Sequence, residues 1–166
     1  PSLMSTSASQ HYAALDAWVD AHFDEEVRYL QALVQVPTDT PPGNNTPHAQ
    51  RTAELLSGFG YKAEAHTVPD ADVQAYGLQS LTNLIVRRRY ADSGRVIALN
   101  AHGDVVPPGE GWHHGPYSGE VVDGKLYGRA AAVSKSDFAT FTFALRAIDA
   151  LVAGITPPKL QGGIEL

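Results

Sequence analysis

The run Arg95-Val96-Ile97-Ala98-Leu99-Asn100 restricts the fold more than any other part of the chain. It is short, apolar, without alternation, and bounded by glycine and polar residues, which predicts a strand buried on both faces in the middle of a sheet. Such a strand needs helices above and below it, and the flanking sequence supplies helical patterns. From Ser9 to Val36, Leu15, Trp18, Val19, Phe23, Val27, Leu30, Leu33 and Val34 recur at helical spacing, predicting one long amphipathic helix interrupted near His22 and stopped at Pro37. The stretch from Thr38 to Asn45, with two prolines, a glycine and asparagines, is a loop. A second helix is predicted from His48 to Ser57, with Gly58 and Gly60 leading into a strand over Tyr61 to Val68, and a further strand over Thr82 to Arg89. Asp123-Gly124 between Val121-Val122 and Lys125-Leu126-Tyr127 predicts a hairpin, because that dipeptide accepts the positive dihedrals of a tight turn. A helix begins near Ser134, with Phe138, Phe141, Leu145, Ile148 and Leu151 on one stripe, and a last strand opens at Leu160. The order implies an α/β fold in which a mixed sheet is sandwiched by helices, with no internal repeat or interdomain linker.

Composition narrows the function. Apolar residues make up 43% of 166 positions, enough for a globular core, and the net charge of -6 is spread along the chain. The densest basic stretch, Arg87-Arg88-Arg89, is too short for a nucleic-acid footprint, so no nucleic-acid partner is expected. No window reaches the roughly 20 apolar residues of a membrane span. Residues 1–10 lack the basic start and apolar core of a secretory signal, so the expected location is cytoplasmic, without membrane association. Cysteine is absent, which leaves any metal site to histidine and carboxylate.

That directs attention to Asn100-Ala101-His102-Gly103-Asp104-Val105-Val106-Pro107, where a histidine and a carboxylate stand two apart at the C-terminal edge of the predicted central strand, the edge at which α/β sheets place their sites. A histidine there can bind a divalent metal through one ring nitrogen while the carboxylate orients the ring. Taken alone, a histidine at a strand end is more often a hydrogen-bonded structural residue than a ligand. His113 and His114, beside Trp112, are candidate substrate contacts or solvated loop residues. Thr38-Asp39-Thr40 either lines the pocket or serves as turn chemistry. His11, His22, His48 and His66 lack an acidic partner at ligand spacing and are expected on helices or at the surface. Ser134, Lys135 and Ser136 have the makings of a serine–lysine pair but no accompanying glycine loop for an oxyanion.

From His102 to Lys135 the sequence resembles the peptidase M20 family, the group containing acetylornithine deacetylase, succinyl-diaminopimelate desuccinylase, aminoacylase and glutamate carboxypeptidase. The resemblance runs in order through His102-Gly103-Asp104-Val105-Val106-Pro107, Gly111-Trp112, Pro116-Tyr117, Asp123-Gly124-Lys125-Leu126-Tyr127-Gly128-Arg129 and Lys135 at a helix start, and reaches back to the Thr38 loop and the first helix. It implies a zinc-exopeptidase-like fold, of which residues 1–166 would be the N-terminal part of one catalytic domain. It also implies hydrolysis of N-acyl amino acid or peptide bonds, one or two zinc ions with cobalt or manganese as alternatives, a small peptide or N-acyl amino acid as substrate, and a homodimer formed through a further domain. His102 matches the family's metal-binding histidine and Asp104 the catalytic aspartate that holds it. The family's bridging aspartate falls at Val133, which cannot ligate a metal. Asp137, four residues on, either supplies that carboxylate or favours the helix N-terminus electrostatically. The family's paired glutamates and later ligands would follow Leu166, so these 166 residues alone are expected to be inactive. The competing expectation is a non-catalytic protein that keeps the fold.

Overall fold

A computed structural model describes residues 3–166. The opening helical pattern forms two helices, α1 (Leu3–Ala21) and α2 (Phe23–Val34), broken at His22. The ring of His22 turns back onto α1, donating from Nδ1 to the Trp18 carbonyl at 2.7 Å and stacking on the Trp18 indole. Asp24, Glu25 and Glu26 then fill the first turn of α2, where carboxylates meet the positive end of the helix dipole. Pro37 disfavours helical backbone before it and ends the run. After the loop come α3 (Thr46–Gly58), β1 (Glu64–Thr67) and α4 (Asp70–Ala75), a single turn and a half for which the sequence gives no periodic signal.

The rest of the chain forms β2 (Thr82–Ile85), β3 (Arg87–Arg89), β4 (Val96–Ala98), the hairpin β5 (Glu120–Val122) and β6 (Lys125–Tyr127), α5 (Lys135–Val152) and β7 (Gly163–Glu165). Asp123 and Gly124 have φ of 50° and 73°, as the predicted two-residue turn requires. Val86 separates β2 from β3 only nominally, because it exchanges both backbone hydrogen bonds with Leu166, at 2.9 and 3.0 Å. Residues 82–89 therefore make one extended segment, antiparallel to β1 through its first half and to β7 through its second. β7 also runs parallel to β4, giving the order β3-β7-β4 and a mixed sheet.

The helix α5 joins the layers. On one side Phe143 packs with Tyr29, Leu33 and Ala139, flanked by Trp18 and Phe59. The guanidinium of Arg146 lies 4.0 Å from the Phe59 ring centroid and 4.8 Å from that of Phe143, with Glu25 at 3.1 Å balancing its charge. On the other side Leu145 meets Leu56 and Val86, with Ile164 and Leu166 of the sheet packed against them. Mixed sheet and packed helices agree with the expected α/β class.

Two details differ from expectation. The strand at 96–98 is not buried on both faces: it lies at the sheet edge, paired only with β7. Ile97 is in register with Ile164 and so shares its helix-facing side, yet it is 60% exposed, because among the described residues the helix layer stops short of β4. An apolar run records that a strand is hydrophobic, not what covers it. The last strand opens at Gly163 rather than Leu160, since Gly162 turns with φ 69° against Arg95, where a Cβ would fall on the Arg95 carbonyl. Among the described residues no helix is long and apolar enough to cross a membrane.

With Phe143 1% exposed inside a cluster of rings, Phe143→Ala leaves a cavity and should cost about 3–5 kcal/mol, while Val121→Ala on the exposed hairpin should change stability by less than about 0.5 kcal/mol. Urea unfolding of the two variants gives the comparison; equal midpoints would show that the cluster does not organise the fold.

Candidate metal centre

The β4 ladder continues one residue, Leu99 donating its N–H to Glu165 at 2.9 Å, before the chain enters the His102-Gly103-Asp104 turn. A neighbouring loop holds that turn. Thr38, almost fully buried, donates its hydroxyl to the Gly103 carbonyl at 2.5 Å; Val105 N–H donates to the Thr38 carbonyl at 3.2 Å, and Thr40 N–H to that of Val105 at 2.7 Å. Thr38 also lines the cleft beside His102, so the loop combines both roles open to it from sequence.

Within the turn, His102 Nδ1 lies 3.0 Å from the main-chain carbonyl oxygen of Asp104 and 3.4 Å from its Oδ1. A carbonyl oxygen only accepts, so this geometry assigns a proton to Nδ1 and, in the neutral ring, the lone pair to Nε2. That is the tautomer a metal-binding histidine needs, with Nδ1–H tied to an oxygen and Nε2 left for the ion. Both side chains are about half exposed, and both line a cleft of about 470 Å³ whose wall includes Asn45, His48, Phe138 and Leu166.

The other candidates lie elsewhere. Asp137 occupies the first turn of α5 and accepts a 2.6 Å hydrogen bond from the Ser134 hydroxyl; it is not in the cleft wall. Val133 is 67% exposed on the approach to α5. Among the described residues no three histidine or acidic groups converge as a metal cage, so the arrangement fits one ligand of an ion, His102, where zinc takes about three from protein. His114 donates from Nδ1 to Glu120 at 2.8 Å and leans on the Tyr127 ring, which ties it to the hairpin; His113 is exposed. Ser134 is engaged with Asp137 and Ser136 with the Ala132 carbonyl, so neither faces Lys135 as a nucleophile. His66 has an acidic neighbour after all, Glu64 at 3.3 Å across the pleat of an exposed strand.

His48 departs furthest from expectation. It is no surface residue but is 4% exposed, inside the cleft wall, edge-on to Phe138. Burial, with Lys135 nearby, pushes its imidazole down to about 3, so it stays uncharged. Nothing in the pattern around Pro47-His48 marks this, because the burial comes from Gly103 and Phe138, far along the chain and packed back against α3; the signal in the sequence is a glycine at 103 whose backbone is not left-handed.

Comparison with known proteins gives the family and the fold. Residues 98–156 match the model of peptidase family M20/M25/M40, a span that contains His102, Asp104, Val133, Lys135 and Asp137. A succinyl-diaminopimelate desuccinylase of Methylorubrum extorquens is 38% identical over 111 residues, covering 66% of this chain and 26% of the relative. One from Rhodospirillum rubrum is 34% identical over 135 residues, covering 81% of this chain and 31% of the relative. The chain belongs to peptidase family M20. It spans about a quarter to a third of the length of these curated relatives. Human carnosine dipeptidase 1 superposes with a TM-score of 0.66 over 92% of this chain and 33% of its own, at 24% identity, which places the fold.

The M20 segment also explains the burial of a charge. Lys135 is 0% exposed, and its Nζ donates to the carbonyl of Leu33, at 3.1 Å, which also accepts from Val36 N–H, and to that of Val36, at 2.8 Å, just past the end of α2. Burial outweighs the opposing pull of Asp39 and lowers its ammonium from 10.5 to about 8. A folded-state value below the unfolded one means that between pH 8 and 10.5 the unfolded chain binds the extra proton, so stability rises with pH across that window. The fall corresponds to on the order of 3 kcal/mol. Urea midpoints measured from pH 7.5 to 9.5, below the range in which unfolded tyrosines ionise, should climb in the parent chain and stay flatter in Lys135→Met; parallel curves would overturn the assignment.

Proposed function

We propose that this chain supplies the first histidine of a metal centre in an M20-type hydrolase that cleaves the amide bond of an N-acyl amino acid or small peptide. The observation that carries this is the His102 tautomer: Nδ1–H on the Asp104 carbonyl leaves the Nε2 lone pair for an ion beside a cleft. Asp104 is the positioning group, through its main chain first and its carboxylate second. The names of the relatives support the bond class, one a desuccinylase acting on succinyl-diaminopimelate and one a carnosine dipeptidase. Zinc suits a histidine and carboxylate site, with cobalt and manganese as alternatives, and when bound it polarises the scissile carbonyl and lowers the pKa of water. His102 would hold it. His113 and His114, outside the cleft wall, are the candidate substrate contacts, of which His113 is exposed and His114 is engaged with Glu120. With one ligand in place among the described residues, the 166-residue chain by itself should bind zinc weakly and hydrolyse nothing.

A second reading has its own observation. Val133 stands, exposed, where the M20 pattern has a bridging carboxylate, as it would in a protein that keeps the fold without the chemistry. Asp137 is the remaining candidate for that carboxylate, and would have to leave Ser134 to serve.

Zinc calorimetry on the 166-residue chain separates these. Weak one-to-one binding that disappears in His102→Ala, and that tightens by about tenfold or more in Val133→Asp, supports an M20 centre built on His102. Loss in Asp137→Ala as well assigns the carboxylate to that residue. Binding indifferent to His102→Ala, with no gain in Val133→Asp, would sink the metal reading in favour of the non-catalytic one.

A further inference from the structure

Gly103 lies between the two residues of the proposed site, and its identity has a cause outside the turn. Its backbone is not in the left-handed region, so no dihedral demands glycine. The demand is spatial. A methyl group on its Cα would fall 2.9 Å from Nδ1 and 3.0 Å from Cε1 of His48, closer than a side-chain carbon tolerates. The His48 ring cannot easily retreat, since it stands in the first turn of α3, edge-on to Phe138 with 5.5 Å between centroids, and Thr52 donates to its main-chain carbonyl at 2.8 Å. On its other flank, Gly103 gives its carbonyl to the buried Thr38 hydroxyl. The peptide that links His102 to Asp104 is thus held from both sides, by a hydrogen bond and by a ring. Nε2 of His48 is buried without a partner, so the ring serves by its shape and not by a hydrogen bond from that atom.

We propose that His48 is a positioning residue of this site: its buried ring, wedged against Gly103, fixes the turn that brings His102 Nδ1 onto the Asp104 carbonyl. The proposal deepens the M20 reading, and the importance of the turn for metal rests on that reading, but the geometry it concerns exists without metal. Replacing the ring with a methyl group leaves Gly103 free to move on that flank, so the His102–Asp104 contact loosens and the preference for the Nδ1–H form is lost. Adding a methyl at Gly103 forces the same loss from the opposite direction. The two changes together should interfere less than Gly103→Ala alone, because removal of the ring makes room for the new methyl group.

The test is nitrogen-15 imidazole NMR on the metal-free 166-residue chain, comparing the parent with His48→Ala, Gly103→Ala and the double variant. The expected result is a His102 signal of the Nδ1–H type in the parent, averaged toward a solvated imidazole in each single variant, and partly restored in the double variant relative to Gly103→Ala. Zinc affinity should follow, falling about tenfold in each single variant, as when other outer partners of a ligand are removed. A merely structural role for His48 would lower the unfolding midpoint and leave the His102 tautomer unchanged. An unchanged tautomer in folded His48→Ala overturns the proposal, and so does simple additivity in the double variant; if Gly103→Ala does not fold, His48→Ala decides alone. Zinc binding that survives His102→Ala would remove the metal reading while leaving the tautomer result to stand or fall by itself.

Discussion

A single buried ammonium links the halves of this molecule. Lys135 begins α5, the helix that packs on both α1 and α2 and reaches the sheet, and its Nζ is spent on two carbonyls at the end of α2. Burying a charge is tolerable only where donors find acceptors, and the end of a helix offers carbonyls with spare accepting capacity at the negative end of its dipole. The geometry then propagates along the backbone. Val36 accepts from Lys135, Pro37 ends the helix, and Thr38 takes the Gly103 carbonyl. The turn that carries His102 is therefore referenced to the start of α5 through only a few covalent steps, although 33 positions separate His102 and Lys135 in sequence. The same short path accounts for the proximity of a loop, a sheet edge and a helix start in the M20 segment.

What could be read from the sequence follows the range of the interactions involved. The hairpin was legible because Asp123-Gly124 carries its own dihedral requirement. The break at His22 and the stop at Pro37 were legible because both are decided within a turn of helix. The stripe on α5 was legible because one face of one helix has to meet a core. The exposure of Ile97 was not, since it depends on which layers stand over the sheet edge. Nor was the start of β7, which Gly162 sets by its approach to Arg95. His102 and Asp104 were found because their contact spans two residues and belongs to an ordered set of motifs. His48 escaped because everything that makes it matter is distant in the chain.

The same distinction separates the candidate ligands. Asp137 stands one helical turn after Val133, which makes it an attractive substitute on spacing alone. Spacing along a helix start, however, does not say where a carboxylate points, and this one accepts from the Ser134 hydroxyl, a side-chain pair at the start of α5. His114 is an equivalent case, adjacent to the right motif and committed to Glu120. Local proximity to a motif is a weaker guide than the hydrogen bond that fixes a tautomer.

Two histidines on either side of Gly103 show how environment divides one residue type into two roles. His48 is enclosed, loses its ability to carry charge, falling to about 3, and offers the neighbouring glycine a flat neutral edge. His102 is half exposed, its Nδ1–H satisfied by a carbonyl two residues on, with its second nitrogen at liberty beside the cleft. Exchange their surroundings and neither would serve: a ligand buried like His48 would have no path for an ion, and a wedge exposed like His102 would have nothing to press against. The glycine between them belongs to both environments, since it must be small for His48 and must present its carbonyl to Thr38 for His102 to stand where it does. The His-Gly-Asp triplet is therefore better understood as a packing solution that yields a ligand than as a ligand with a glycine spacer.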